Sequence, residues 1–417
     1  MKRFFDEKES WGQEERKNRQ DQSLARMVKL GYKKSTVLKK ILDRQKINPA
    51  KIKTREDLEI LPVTSREKLV EMEMQNPPYA GLENPSTPMD RIFTSPGPVY
   101  EPHLSETDYL WARAFFAAGI GPHDIALNAF SYHLVAAGLT FHNGLRKVGA
   151  TVVPSGTSSS QVQVQLIRDL KVTAYVGTPS FLMSIINQAR EMGHDFKKDF
   201  RVKKACFAAE PLLPTLRQVF EKEYGIDTYQ MYGATEVGDV AYECSRKSGW
   251  HICEETIVEI VDPATGKNVE PGELGEVVVT RLNDIFFLLR FGTGDLSRLI
   301  TKKCSCGRTS WRLAGIAGRV GEAVKVRGLF IAPSQLKLLS GKFENLPLQA
   351  VVSRSGHEDV LTVRIENVNK QVGTNTWENN FKKMFKEICT VRIDAIEYVE
   401  AGTITHDLKA IVDVRKW

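Results

Sequence analysis

Between about residues 90 and 300, short apolar runs alternate with segments of helical period, and this alternation limits what the chain can fold into. Ile125-Ala126-Leu127-Asn128-Ala129-Phe130, Ala150-Thr151-Val152-Val153-Pro154, Ala174-Tyr175-Val176-Gly177 and Lys204-Ala205-Cys206-Phe207-Ala208-Ala209 have the length of buried strands. Ala136 to Val148, Ser160 to Leu170 and Ser180 to Met192 have the length and spacing of helices between them. Strands that alternate with helices imply an α/β fold, with a parallel sheet and crossover helices. After Asp239 the texture changes to short strands with turns at Pro263-Ala264-Thr265-Gly266 and Pro271-Gly272-Glu273, which implies an antiparallel, barrel-like subdomain. The last hundred residues carry strands and one charged helix (Asn375 to Ile388), as in a small α+β domain. Residues before 75 read as charged amphipathic helices, broken near Asn48-Pro49 and at Leu61-Pro62-Val63-Thr64. The Gly-rich run Gly315-Ile316-Ala317-Gly318-Arg319-Val320-Gly321 is the linker candidate.

At 417 residues the chain exceeds what one core usually supports, so at least two domains are expected. With 42% hydrophobic and 26% charged residues it has an ordinary globular composition, and no stretch has the length of a membrane span. Met1 to Arg19 lacks the apolar core of a signal peptide, so a cytoplasmic protein is expected. The formal net charge of +7 is diffuse, which suits small anions and gives no basic block for nucleic acid. Its densest part, Arg16 to Lys53, reads as a solvated helix face.

The heptad Tyr232-Gly233-Ala234-Thr235-Glu236-Val237-Gly238 follows the strand-like run Ile226 to Gln230. It supplies a ring to border a base, glycines that let the backbone approach phosphate, a hydroxyl, and a carboxylate for a hydrated cation. Three further elements bracket it. Glu210 and Pro211 follow the buried strand that ends in Ala208 and Ala209, Asp295 sits in the glycine-flanked turn Gly292-Thr293-Gly294-Asp295, and Arg319 opens the C-terminal part. A short acid at such a turn can accept both hydroxyls of a ribose. Near the end, His406-Asp407-Leu408-Lys409 precedes Val412-Asp413-Val414-Arg415.

In this ordered set the chain resembles the adenylate-forming superfamily, and within it the phenylacetate–coenzyme A ligase family. The resemblance takes in Leu61 to Glu67, Val153 to Thr157, Gly177 to Ser180, Arg327-Gly328 and Pro333-Ser334-Gln335. It implies a large N-terminal domain over residues 1–317, with the subdomain at about 240–315, and a mobile C-terminal lid over 318–417. It also implies that a carboxylate attacks ATP to give an acyl-adenylate, from which the thiol of coenzyme A displaces AMP. Carried over by motif, Glu210, Pro211 and Tyr232 border the adenine beside Ala209, Gly233 and Ala234. Thr235 contacts phosphate, Glu236 helps hold Mg²⁺, Asp295 takes the ribose hydroxyls, and Arg319 lies near ribose or phosphate. Lys409 is the candidate catalytic lysine, although it stands closer to Asp413 than the family's spacing. Gly321 stands where the family often has an acid after the hinge arginine. A homodimer is compatible with the resemblance.

The phosphate-cradling loop departs from the family pattern. Thr94-Ser95-Pro96-Gly97-Pro98-Val99-Tyr100-Glu101-Pro102 carries three prolines, which remove three N–H donors, and Glu101 adds negative charge. Thr94, Ser95 and the Gly97 amide remain as phosphate donors. Two alternatives to the ligase stand: transfer of the acyl group to a carrier thiol or amine, which shares the first half-reaction, and a catalytically altered protein that binds nucleotide or acyl-adenylate, of which the proline loop is the mark. Tyr132, His133, Ala136, Gly138, Phe141 and Ala208 are the candidates to line a pocket for an aryl or other hydrophobic acid. His133 either orients the carboxylate or is a core histidine.

Cys304-Ser305-Cys306-Gly307 places two thiols one residue apart, with Cys244 and His251 upstream. Together they form a candidate Cys₃His structural zinc site, with Cys253 as the alternative to His251. Cys206 and Cys389 read as core residues.

Overall fold

The computed structural model describes residues 3–95, 99–104, 106–107, 109–327, 329–355, 358–366, 374–405 and 408–415. Gly97 and its flanking prolines, Gly328, His406 and Asp407 lie outside the described residues. The chain divides into two compact units. One holds Met1–Glu259, Val278–Thr293 and Leu299–Ala314, and the other Ile260–Val277, Gly294–Arg298 and Gly315–Trp417. The strands Thr256–Val261, Gly275–Arg281 and Phe291–Ser297 each run from one unit into the other.

The first unit is built on a 9-stranded sheet. Its parallel half runs Asp227–Ala234, Lys204–Phe207, Ala174–Gly177, Ile125–Asn128, Thr151–Val153. The antiparallel half continues from the other side of Asp227–Ala234 through Gly238–Glu243, Trp250–Ile252, Arg312–Leu313 and Leu299–Ile300. The crossover helices are Ala136–Lys147, Ser160–Asp169 and Pro179–Glu191, within a residue or two of the expected bounds. The third shows why. Thr178 caps its start by accepting from the Phe181 N–H, Pro179 opens its first turn, and Leu182, Ile185, Ile186 and Ala189 fall on one buried face. That face packs with Phe207 and Phe220 into the core below the sheet. A second core, on Phe115, Phe141, Leu145 and Met231, carries the wall of the cavity described below.

The second unit has a four-stranded sheet in the order Ala395–Val399, Glu358–Glu366, Leu348–Ser355, Ile411–Asp413. The helices Pro333–Lys342 and Asn375–Cys389 belong to the same unit, and their buried residues, Leu336, Leu339, Phe381, Phe385 and Cys389 among them, share one core with Val352 and Leu361. This is the expected α+β texture. Among the described residues no helix is long and apolar enough to cross a membrane.

The N-terminal segment is more than a solvated helix face. Helix Gln13–Lys34 buries Arg16, whose Nε lies 2.7 Å from Glu254 Oε2. Glu9 is fully buried, paired with Arg308 and accepting from the Tyr242 hydroxyl at 3.1 Å. Arg113, only 2% exposed, forms a fork between Asp6 and Glu255. Burial alone would raise the Glu255 carboxyl, but the Arg113 guanidinium overrides it and holds the group at about 2. Because this value is depressed from an ordinary 4.5, the pair's contribution to stability is complete above about pH 4.5 and is lost as the pH falls through about 2. Arg113→Ala leaves Asp6 without its arginine and Glu255 with Lys8 alone, at 2.7 Å, and should destabilise the first unit by about 3–5 kcal/mol near neutral pH. Denaturant melts followed by tryptophan fluorescence check this. The deficit should shrink in acid, and a midpoint within error of the parent would contradict the account.

Candidate active site

Gly233 is where the site is made. The strand Asp227–Ala234 does not stop at the heptad but runs through its first three residues, and Gly238 opens the return strand. Thr235, Glu236 and Val237 form the turn, with a register slip between Tyr232 and Gly233. The strands approach so closely here that a Cβ on Gly233 would lie 2.3 Å from the Gly238 carbonyl oxygen and 3.0 Å from the Trp111 ring. Only glycine fits. The turn therefore presents the Thr235 hydroxyl and the Glu236 carboxylate together, with Thr235 Oγ1 3.2 Å from Glu236 Oε2 and 3.4 Å from Ser95 Oγ.

On either side of residues 96–98, the strands Arg91–Ser95 and Val99–His103 pair antiparallel, with Phe93 opposite Glu101. Glu101 is 4% exposed, and neither of its oxygens has a hydrogen-bond partner among the described residues. Burial pushes its carboxyl up to about 7, against partial relief from the nearby Ser95 hydroxyl and His103. Glu73 also rises to about 7, first through burial and then through Glu101 and Glu236, while its Oε2 accepts the Tyr100 N–H at 2.8 Å. Arg66 Nε lies 3.2 Å from Glu236 Oε1. Sequence reasoning missed Glu73, yet a signal was present: it sits four residues after Leu69, on the buried face of helix Arg66–Gln75.

One cavity joins this polar corner to an apolar wall. Its lining includes Glu101, Thr235 and Glu236 at one part, and Trp111, Phe130, Ala136, Phe141, Ala208 and Ala209 at another. The aromatic wall is set edge to face: Phe141 meets Trp111 at 5.0 Å and Phe130 at 4.8 Å between ring centroids. Ala209 has φ 68°, a left-handed conformation unusual for a side-chain-bearing residue, directly after the Lys204–Phe207 strand. Arg281, also in the lining, is held by Asp239 at 2.7 Å.

The other sequence candidates fall in different places. Glu210 is exposed and accepts from the Ser180 hydroxyl at 2.8 Å, and Pro211 beside it is also exposed. The Tyr232 ring is buried and stacked on Trp250 at 5.6 Å, its hydroxyl 3.2 Å from Thr293 Oγ1. Tyr132, His133 and Gly138 are not among the cavity's lining residues. Tyr132 accepts from the Asn128 side-chain amide, His133 is exposed, and a Cβ on Gly138 would lie 2.2 Å from the Ser131 carbonyl oxygen. Asp295, Arg319 and Lys409 belong to the second unit. Asp295 stands opposite Arg319 across paired strands, with Arg319 Nε 3.4 Å from its Oδ1. The Lys409 side chain is exposed, and its backbone carbonyl accepts from Gln349 Nε2 at 2.8 Å.

A second cluster lies at the antiparallel end of the large sheet. The ligand atoms of Cys244, His251, Cys304 and Cys306 all lie within 4.8 Å of one another. Cys244 Sγ is 3.8 Å from Cys304 Sγ, and Cys306 Sγ is 3.4 Å from His251 Nε2. A tetrahedral zinc ion would place its ligands at about 3.8 Å for S···S and about 3.6 Å for S···N. The donor set therefore fits. His251 Nδ1 lies 3.3 Å from Ser310 Oγ, leaving Nε2 to face the thiols, and the Arg246 and Arg308 N–H groups donate to Cys244 and Cys306 sulfur. Of the two alternatives, His251 is in the cluster. Cys253 is buried with Ala208 and Met231 in the core.

These features together define an adenylate-forming enzyme fold, and comparison with known proteins agrees. Residues 104–283 match the family model described as AMP-binding enzyme. An open conformation of 2-hydroxyisobutyryl-CoA ligase, solved with 2-HIB-AMP and CoA, superposes with a TM-score of 0.82 at 22% identity, covering 97% of this chain and 93% of that one. More specifically, the phenylacetate-coenzyme A ligase of Aromatoleum evansii is 31% identical over 396 residues, 91% of this chain and 88% of that protein. The protein of the same name from Escherichia coli (strain K12) is 31% identical over 363 residues, 83% of this chain and 81% of that protein. The chain belongs to the phenylacetate–coenzyme A ligase family.

Gly233→Ala should force the two hairpin strands apart and cost about 1–3 kcal/mol, the usual range for an added group in a filled site. Thermal melts of the variant and parent read this, and an unchanged midpoint would show that the close approach is not needed.

Proposed function

We propose that the chain is an ATP-dependent carboxylic acid–coenzyme A ligase acting through an acyl-adenylate, on an aryl or other hydrophobic acid. One observation carries this reading: a single cavity joins an aromatic wall to the Thr235–Glu236 turn. An apolar acyl group held by Trp111, Phe130 and Phe141 would direct its carboxylate away from the wall and toward the hydroxyl-bearing turn. There the carboxylate oxygen attacks the α-phosphate of ATP, pyrophosphate leaves, and the thiol of coenzyme A later displaces AMP. Thr235 and Ser95 are assigned to the phosphates, and Glu236 to Mg²⁺, which takes few carboxylates and keeps most of its waters. When bound, that ion neutralises the phosphate charge that builds during attack. Glu210, Pro211, Ala209, Gly233, Ala234 and Tyr232 are assigned to the adenine side, Asp295 to the ribose, Arg319 to ribose or phosphate, and Lys409 to the carboxylate and α-phosphate oxygens. The segment from 318 onward is assigned the role of a mobile lid.

The same reading includes a structural zinc ion on Cys244, His251, Cys304 and Cys306, a cytoplasmic enzyme and a homodimer. Metal analysis of reductant-purified protein should give about one zinc per chain, and Cys306→Ser should lose it together with thermal stability; a ratio near zero in the parent would remove the ion. A second reading, a binder with altered chemistry, has the unpartnered Glu101 beside Thr235 in its favour.

The test of the ligase is release of AMP from ATP that requires both an aryl or aliphatic acid and coenzyme A. Release that requires the acid and a carrier thiol or amine instead would move the acceptor. Asp295→Ala should weaken binding of ATP and AMP alike by roughly tenfold or more, a loss of about 1.4 kcal/mol or more for a charged hydrogen-bond acceptor. Equal affinities in parent and variant would take Asp295 out of the nucleotide site.

A further inference from the structure

The polar corner of the cavity holds more negative charge than its neighbours answer. Glu101 is buried, lines the cavity, and has no hydrogen-bond partner for either oxygen among the described residues. Leaving such a group unsatisfied costs free energy that native structures normally avoid. Beside it stand Glu236, the Ser95 and Thr235 hydroxyls, and Glu73. The basic groups at this corner are Arg66, which is engaged with Glu236, and the His103 imidazole, whose ring packs edge-on against Phe93 at 4.8 Å. Carboxylate and hydroxyl oxygens converging on one buried corner are the donors of a hard cation, and no soft ligand is among them.

We propose that Glu101 and Glu236, with the Ser95 and Thr235 hydroxyls, hold a divalent cation of the Mg²⁺ type before any nucleotide binds. The cation supplies the unpartnered Glu101 oxygens with their missing ligand. It also turns a corner that would repel a polyphosphate into one that accepts it. Glu101 is then a metal ligand in this chain, and its acidity is the means by which the proline-bearing hairpin meets an anion. This inference rests on the nucleotide reading for its purpose, but not for the binding event itself, which is measured without nucleotide.

The experiment uses the full chain, replete with zinc and free of nucleotide, titrated with Mn²⁺ while free Mn²⁺ is followed by electron paramagnetic resonance. About one Mn²⁺ per chain should bind and be displaced by Mg²⁺. Glu101→Gln, which removes the charge and keeps the shape, should weaken binding by roughly tenfold or more. Glu101→Lys should abolish it. Melting temperatures at or above the parent's in either variant exclude a folding defect. No binding at millimolar Mn²⁺, or equal binding by the parent and Glu101→Gln, overturns the proposal. ATP added afterwards distinguishes the two claims: Glu101-dependent Mn²⁺ binding that ATP leaves unchanged would uphold the cation site and refute the nucleotide reading.

Discussion

The contact between Gly233 and the Gly238 carbonyl is the constraint on which the rest of the site depends. A parallel strand, Asp227–Ala234, must turn immediately into an antiparallel one, and it does so with no room for a side chain at position 233. That close turn changes the sheet from its parallel to its antiparallel half. It also brings a hydroxyl and a carboxylate from adjacent residues to the mouth of an apolar chamber. The strand supplies rigidity from one side, through Met231 in the core, while the Tyr232 ring is stacked on Trp250. A site on such a support holds its geometry better than one on a free loop.

Charge balance is the second theme. The first unit repeatedly answers a buried or half-buried carboxylate with an arginine: Arg113 for Asp6 and Glu255, Arg16 for Glu254, Arg308 for Glu9, Arg290 for Glu259. Buried pairs of this kind are costly to break even where they add little net stability. Glu73 and Glu101 are buried without such a cation among the described residues, and Glu101 lines the cavity. The Cys₃His cluster shows the same logic with softer donors, since its spacing already matches a tetrahedral ion and its histidine is oriented by Ser310.

Much of this was legible in the chain itself. The parallel strands and their helices could be placed because buried runs and helical periods are local signals, and Thr178-Pro179 marks a helix start without help from tertiary structure. The Cys and His ligand candidates were legible from spacing, and the structure selects His251, which joins the cluster, over Cys253, which is buried in the core with Ala208 and Met231. What was not legible depends on contacts between distant residues. Tyr132 and His133 looked like pocket residues by composition, but the cavity instead uses Trp111 and Phe130, which no motif singles out. Glu9 is a charged residue in a charged context and Arg113 a lone charge in the apolar run Leu110 to Ala117, and only their partners, some 299 residues away for the Glu9–Arg308 bond, explain their burial. Glu73 belongs to the site through a helix face whose significance appears only once the Val99–His103 strand is beside it.

The central claim is that this cavity activates a carboxylic acid with ATP. Exchange of labelled pyrophosphate into ATP measures that step alone, before any acceptor acts. With Mg²⁺ present, exchange should appear on addition of an aryl or other hydrophobic acid and be absent without it. Failure to exchange across a broad panel of aryl and aliphatic acids, in protein that still binds AMP, would contradict the account.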